Sequence, residues 1–146
     1  MFTFRRAQQS DQAAIRCLIR AVRINPLQLD WRHFLLAVDA GDALIGCGQI
    51  KPHGAGLREL ASIAVSPDWR GQGVASALIR QLMQDQPPPL YLTCRESMEP
   101  FYRPFGFISL PPEQMPPYYR RIWRAFTWLG PLLGRKEGLR VMRWDG

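Results

Sequence analysis

The rhythm of apolar and polar residues changes several times along the chain, and each change marks an element. Residues 2–6 alternate weakly and predict a first strand. Behind Ser10, the apolar residues Ala14, Ile15, Leu18, Ile19 and Val22 recur at helical spacing, with Ser10 as the expected N-cap. Asn25-Pro26 ends that helix, because the residue before a proline is pushed out of the helical region. Residues 27–33 show no clear period and allow one short helical turn. Residues 34–38 and 43–50 are apolar runs joined across Ala40-Gly41-Asp42, the pattern of a β-hairpin. After a turn at 53–56, residues 57–65 add a third strand to an antiparallel meander.

Pro67 closes that strand. The loop Arg70-Gly71-Gln72-Gly73 then leads into residues 74–84, where Ala77, Leu78 and Leu82 predict a helix. Three prolines at 87–89 break the chain before a brief apolar strand at 90–94. Residues 98–103 read as one or two helical turns, and 105–110 as strand. From Pro111 the composition shifts to prolines, aromatics and arginines, with Tyr118, Ile122, Ala125, Phe126 and Leu129 as a helical stripe and 141–144 as a last strand. No internal repeat interrupts this order. It describes a mixed α/β (α+β) domain, expected to be single over residues 1–146.

Composition narrows the classes. At 47% apolar residues over 146 positions, the chain can build a core without disulfides or metal. The three cysteines, Cys17, Cys47 and Cys94, have no CxxC spacing, and only His33 and His53 stand beside them. Neither a disulfide framework nor a metal site is expected. The first residues lack the apolar core of a signal peptide, and no apolar run is long enough to span a bilayer. A reduced, cytoplasmic compartment is the default expectation. A formal charge of +7 and a pI near 10.0 leave nucleic acid, anionic membrane, an anionic cofactor or plain solubility open.

The glycine loop changes that picture. Backbone N–H groups at a helix start have no intrahelical partner and lie at the positive end of the macrodipole. Gly71 and Gly73 carry no side chain and Ala75 only a methyl, so a phosphate can approach closely. A tight structural turn would explain the glycines equally well. The spacing Arg70-x-x-Gly73-x-Ala75, however, resembles the pyrophosphate-binding signature of the GNAT superfamily of acetyltransferases. The string 99–107, Glu-Pro-Phe-Tyr-Arg-Pro-Phe-Gly-Phe, is similar to that family's late motif, a helix ending in Tyr before a Gly-Phe strand. A Walker-type ending and the dinucleotide spacing are both absent. The resemblance runs over residues 2–110. It implies a central, mostly antiparallel sheet of about six to seven strands, flanked by helices, with a splayed strand pair at the cofactor site.

It also implies acetyl-CoA as cosubstrate, a primary amine as acceptor, and direct attack within a ternary complex. The cofactor would lie along Ile63, Ala64 and Val65 and on Arg70, Gly71, Gln72, Gly73, Val74, Ala75 and Ser76. Tyr102 matches the tyrosine that protonates the departing thiolate, with aromatic packing beside Phe101 and Phe105 as the alternative. Glu59 stands where relatives carry a base, acting directly or through water; otherwise it is an exposed carboxylate paired with Arg58 or Lys51. Strand parity puts Glu59 with Ala61 and Ile63, unless a bulge, common in this strand of the family, intervenes. Arg95 replaces a frequent asparagine and is a candidate phosphate contact. Cys94 is expected to be a buried strand residue, and His33 and His53 surface or turn residues, with lining of the amine site as the alternative for either.

Residues 111–140 have no counterpart in the family pattern. The basic, aromatic stretch 118–129 is open to four readings: a helix packed on the sheet, a lid or dimer contact, a peripheral membrane contact, or a nucleic-acid surface. The acceptor would be a small molecule or peptide, a homodimer is possible, and nucleic acid is not expected. Against the transferase stand two alternatives. One is a catalytically weak module that senses CoA or acyl-CoA. The other is a basic protein that associates with membrane or nucleic acid through its tail.

Overall fold

In the computed structural model, which describes residues 1–146, the chain falls into two units, residues 1–86 and 87–146. The first holds four antiparallel strands in sequence order: β1 (Thr3–Arg6), β2 (Phe34–Val38), β3 (Leu44–Pro52) and β4 (Arg58–Val65). Two helices pack on it, α1 (Gln12–Ala21) and α2 (Val74–Met83). All five residues of β2 are buried, which requires cover on both faces.

The pleat sorts the faces. Leu36 pairs with Cys47 and Cys47 with Ala64, and these side chains join Ile15 and Ile19 of α1 in one apolar cluster. On the opposite face a side chain at Gly46 would meet Val74 and Leu78 of α2, and one at Gly48 would press to 2.6 Å from Ile63 and 2.8 Å from Leu82. A side chain at Gly48 would force Ile63 and Leu82 to move, and one at Gly46 would crowd α2.

β4 carries a bulge. Cys47 pairs with Ala64 and Gln49 with Ala61, so Ser62 and Ile63 together oppose Gly48. Ser62 takes a φ of 59°, strained for a residue with a side chain. The Gln49 amide, fully buried, donates to Ser62 Oγ at 2.8 Å and to the carbonyl of Gln28 at 3.2 Å; Gln28 also has a positive φ, 59°. One side chain thus ties the bulge to the loop after α1. The bulge sends Ile63 to the α2 face and leaves Glu59 on the other, opposite Lys51. Uninterrupted alternation, which groups Glu59 with Ile63, does not survive it.

Two local expectations are corrected, and the short turn allowed within residues 27–33 is found. Ser10 does not cap α1: it lies inside a 3-10 turn (Gln9–Asp11), and Asp11 reaches back to the Gln8 N–H at 2.7 Å while Arg5 holds its carboxylate. Residues 27–33 are organised from a distance. The Gln12 side chain donates to the Leu29 carbonyl at 2.6 Å and accepts from the Trp31 N–H at 2.9 Å. Asp30 then caps a 3-10 turn at Trp31–His33.

The second unit has three antiparallel strands, β5 (Leu90–Arg95), β6 (Phe107–Ser109) and β7 (Leu139–Trp144), in the order β5-β7-β6. Between them run α3 (Glu99–Tyr102) and α4 (Pro117–Leu129), the latter packed on β7. The second correction concerns α4. Its buried anchor is Tyr119, stacked on Tyr91 with ring centroids 5.2 Å apart, followed by half-buried Ile122, Trp123 and Phe126. Ala125 and Leu129 face outward, so the stripe is rotated from the one expected. The two units together supply seven strands and four α-helices, the mixed α/β class that the sequence implied.

Candidate active site

Two features of the first unit carry candidate chemistry. The first is the run from β4 into α2. After the strand a 3-10 turn (Pro67–Trp69) delivers the chain to Arg70, and Gly71 and Gly73 both take left-handed φ, 75° and 80°. Gly73 is the N-cap of α2, and no side chain caps the helix. The first-turn N–H groups of an uncapped helix need an outside acceptor. A side chain on Gly71 or Gly73 would meet no heavy atom within 4 Å, so open space lies over the loop. Arg70 and Gln72 are exposed at its edge, with the Gln72 amide donating to the Asp68 carbonyl at 3.3 Å. Open space free of side chains at the positive end of a helix, beside an arginine, suits an anionic group.

The expected contact residues divide accordingly. Ala64 and Val74 are core residues, 3% and 1% exposed, so only their backbone is available to a ligand. Ile63 packs between Gly48 and Leu82. Val65, Ala75 and Ser76 are half-buried.

The second feature is a row of buried polar groups on the α1 face. Gln49, Lys51 and Glu59 are 0%, 6% and 8% exposed. Lys51 lies opposite Glu59 in the ladder, and His53 Nε2 stands 2.8 Å from Glu59 Oε1. An ionised carboxylate can only accept, so in this pair the His53 Nε2–H donates to Glu59. Burial lowers the Lys51 pKa and the charge of Glu59 raises it in part. Glu59 is thus not an exposed carboxylate, and His53, its side chain 6% exposed, is not a surface histidine. Sequence reasoning missed this partner; the signal lay in hairpin register, since Pro52 opposite Arg58 brings residue 53 within reach of 59. A cavity of about 340 Å³ opens beside Lys51, lined also by Gln28, Leu29, Asp30, His33 and Pro52.

In the second unit Tyr102 ends α3. Its ring meets Phe101 and Phe107 edge-on, at 5.1 and 6.3 Å between centroids. Burial, helped by the neighbouring Cys94, pushes its phenol up to about 12. The turn is anchored by Glu99, which accepts from Ser109 Oγ at 2.6 Å and from Arg103 at 3.0 Å and pairs with Arg140 at 3.5 Å. Those hydrogen bonds hold its carboxyl below the ordinary range. Cys94, with its thiol pushed up to about 11 by burial, is a poor nucleophile. Arg95 is exposed at the end of β5. No cluster of three or more His, Cys, Asp or Glu side chains could hold a metal, and no helix is long and apolar enough to cross a membrane.

Known proteins share this fold. The chain is similar to N-acetylglutamate synthase from Neisseria gonorrhoeae, solved with coenzyme A and N-acetyl-glutamate, at a TM-score of 0.75 and 19% identity over 100% of this chain. It spans only 36% of that synthase. It is similar over 99% of both chains to Rv2747 of Mycobacterium tuberculosis, solved with CoA, at a TM-score of 0.73 and 21% identity. A GNAT-family acetyltransferase of Staphylococcus aureus Mu50 gives a TM-score of 0.71 at 13% identity, again over 99% of both chains. These likenesses establish the fold. No curated protein sequence matches the chain. The acetyltransferase (GNAT) domain model matches residues 30–109, from the loop before β2 through β6, which takes in both the glycine loop and the Tyr102 turn. The chain belongs to the GNAT acetyltransferase family.

Proposed function

We propose that the protein transfers the acetyl group of acetyl-CoA to a primary amine by direct attack, without a covalent enzyme intermediate. The observation that carries this is the open, uncapped start of α2 behind Gly71 and Gly73. Arg70 and the N–H groups of residues 71–76 take the pyrophosphate, and the pantetheine arm runs along Ile63, Ala64 and Val65, one of whose N–H groups polarises the thioester carbonyl. Arg95 is proposed as a further phosphate contact. The amine nitrogen forms a bond to the carbonyl carbon, the C–S bond breaks, and the amine proton must go to a base. Glu59, with His53 as its bonded partner, is the proposed base, direct or through water. Tyr102 is the proposed hydrogen-bond donor to the departing sulfur.

The acceptor is proposed to enter at the cavity beside Lys51. Lys51 and Asp30 give it both signs of charge, which supports a small amine that also bears a carboxylate. The N-acetyl-glutamate found with the Neisseria synthase supports the same choice.

The test is a thermal-shift titration with acetyl-CoA on the native chain and on Gly73→Glu. At about a hundred times Kd, binding adds roughly 2.7 kcal/mol of stability. A saturable rise in the native chain that vanishes in the variant supports the reading; no rise in the native chain sinks it. One observation favours a sensor instead. Glu59 is already engaged by His53. A chain that binds acetyl-CoA but turns over none of a broad amine panel, carboxylated amines included, is that sensor.

A further inference from the structure

The end of α4 presents its apolar side chains to solvent rather than to the core. Of the exposed large apolar residues in the molecule, Trp128, Leu129, Leu132 and Leu133 fall within one short run, at 81%, 52%, 80% and 68% exposure. This is a built feature. A 3-10 turn (Pro131–Leu133) follows the helix through buried Gly130, and the Arg135 N–H closes back on the Gly130 carbonyl at 2.9 Å. The Arg135 guanidinium lies over the Phe126 ring at 4.4 Å from its centroid. The result is a convex knob of one indole and three leucines.

The run itself is basic, and the Glu137 that follows it is engaged by the Ser97 N–H at 2.9 Å. From Tyr118 to Lys136 there are five cationic residues and no Asp or Glu. Arg120 is occupied structurally, donating to the carbonyls of Pro112 and Met115 at 3.0 Å each. Arg121, Arg124, Arg135 and Lys136 are exposed.

We propose that this knob docks on an anionic lipid bilayer, with Trp128, Leu132 and Leu133 entering the headgroup–acyl boundary and the four exposed cations meeting lipid phosphates. The inference does not rest on the acetyl-transfer reading. Charge complementarity chooses the occupant. A second copy meeting the knob about a two-fold axis would oppose the same cations to themselves. Separately protruding side chains suit insertion between headgroups better than a flat protein contact. Attraction to anionic lipid grows with each basic residue near the surface.

The experiment is flotation of the full chain with phosphatidylcholine vesicles, with and without phosphatidylglycerol, at low and high salt. Binding is expected only with phosphatidylglycerol, weakened by salt, with a blue shift of tryptophan emission. The pair Trp128→Glu and Leu132→Glu should lose roughly tenfold or more of the affinity, as should Arg121→Gln with Arg124→Gln. Trp128→Phe should retain binding. All these side chains are exposed, so an unchanged melting temperature verifies the fold. Four results would each overturn the proposal: no binding to the anionic vesicles, equal binding to neutral ones, affinity indifferent to the Glu pair, or a dimer in sedimentation that the Glu pair dissolves. Capture by a single-stranded oligonucleotide in preference to the anionic vesicles, lost in the arginine pair, would assign the knob to nucleic acid instead.

Discussion

The loop at residues 70–76 and the polar row on β3 and β4 belong to the same unit but are made of different material. The loop works by leaving side chains out: two left-handed glycines, an uncapped helix and open space above them. The polar row works by burying side chains that water would otherwise hold: Gln49, Lys51, His53 and Glu59. A backbone site is fixed by neighbours in sequence. A side-chain row is fixed by register, bulge and packing, so it couples to the stability of the whole unit. Function and stability should therefore separate in the loop and stay entangled in the row.

The largest effect should come from the row. Glu59→Ala strips His53 of its acceptor at 2.8 Å and leaves Lys51 buried with no carboxylate opposite. Losing one partner of a buried charged set costs about 3–5 kcal/mol, which denaturant unfolding would read. The cost should depend on pH through Lys51. Without Glu59 the only change is a further fall of its already lowered pKa. A folded-state pKa below the unfolded one means the penalty is fully present below the folded value and fades as pH rises past it. A variant with a smaller cost, flat in pH, would show that the row does not act as a unit. Gly73→Glu is the contrast: binding lost by roughly a hundredfold, about 2.7 kcal/mol, against a strain cost of about 1–3 kcal/mol for a side chain at φ 80°. Equal losses of stability in the two variants would erase the distinction.

The same contrast explains what the sequence disclosed. Strand and helix boundaries followed local periodicity closely, and the loop was visible in the spacing of Arg70, Gly73 and Ala75, because its chemistry is backbone chemistry. The Glu59–His53 pair was not visible. It depends on Pro52 facing Arg58 across the hairpin, a register that leaves no mark in composition. The rotated stripe of α4 has a similar cause, since only the stacking of Tyr119 on Tyr91, far along the chain, decides which side turns inward. Likewise Ser10 looked like a cap until Asp11, held by Arg5 from β1, took up the Gln8 N–H.

That last pair gives an intermediate case, charges neither omitted nor deeply buried. The Arg5 and Asp11 side chains are 28% and 15% exposed and 2.8 Å apart. The hydrogen bond from Arg5 holds the Asp11 carboxyl below its ordinary range. A depressed folded pKa contributes stability that is present above the unfolded value, near 3.9, and lost as pH falls through the folded one. Asp11→Ala should cost about 1–2 kcal/mol at neutral pH, and the difference from the native chain should shrink in acid. A cost that persists unchanged at low pH would assign it to packing rather than charge.

The smallest effect is expected at Tyr102. A phenol pushed up to about 12 keeps its proton at every pH the protein would meet. It is therefore always a donor, but complete transfer to a thiolate near 8.5 runs uphill. Since that thiolate is already a fair leaving group, Tyr102→Phe should lower kcat by less than about tenfold, or about 1.4 kcal/mol. The pH profile sharpens the point. Its raised pKa means Tyr102 contributes stability fully present below pH 10 or so, lost only as pH climbs toward the folded value, so it adds no limb to the rate profile near neutrality. Any limb there belongs to another group and should persist in Tyr102→Phe. A limb that disappears with the tyrosine would make Tyr102, not the buried row, the seat of proton transfer.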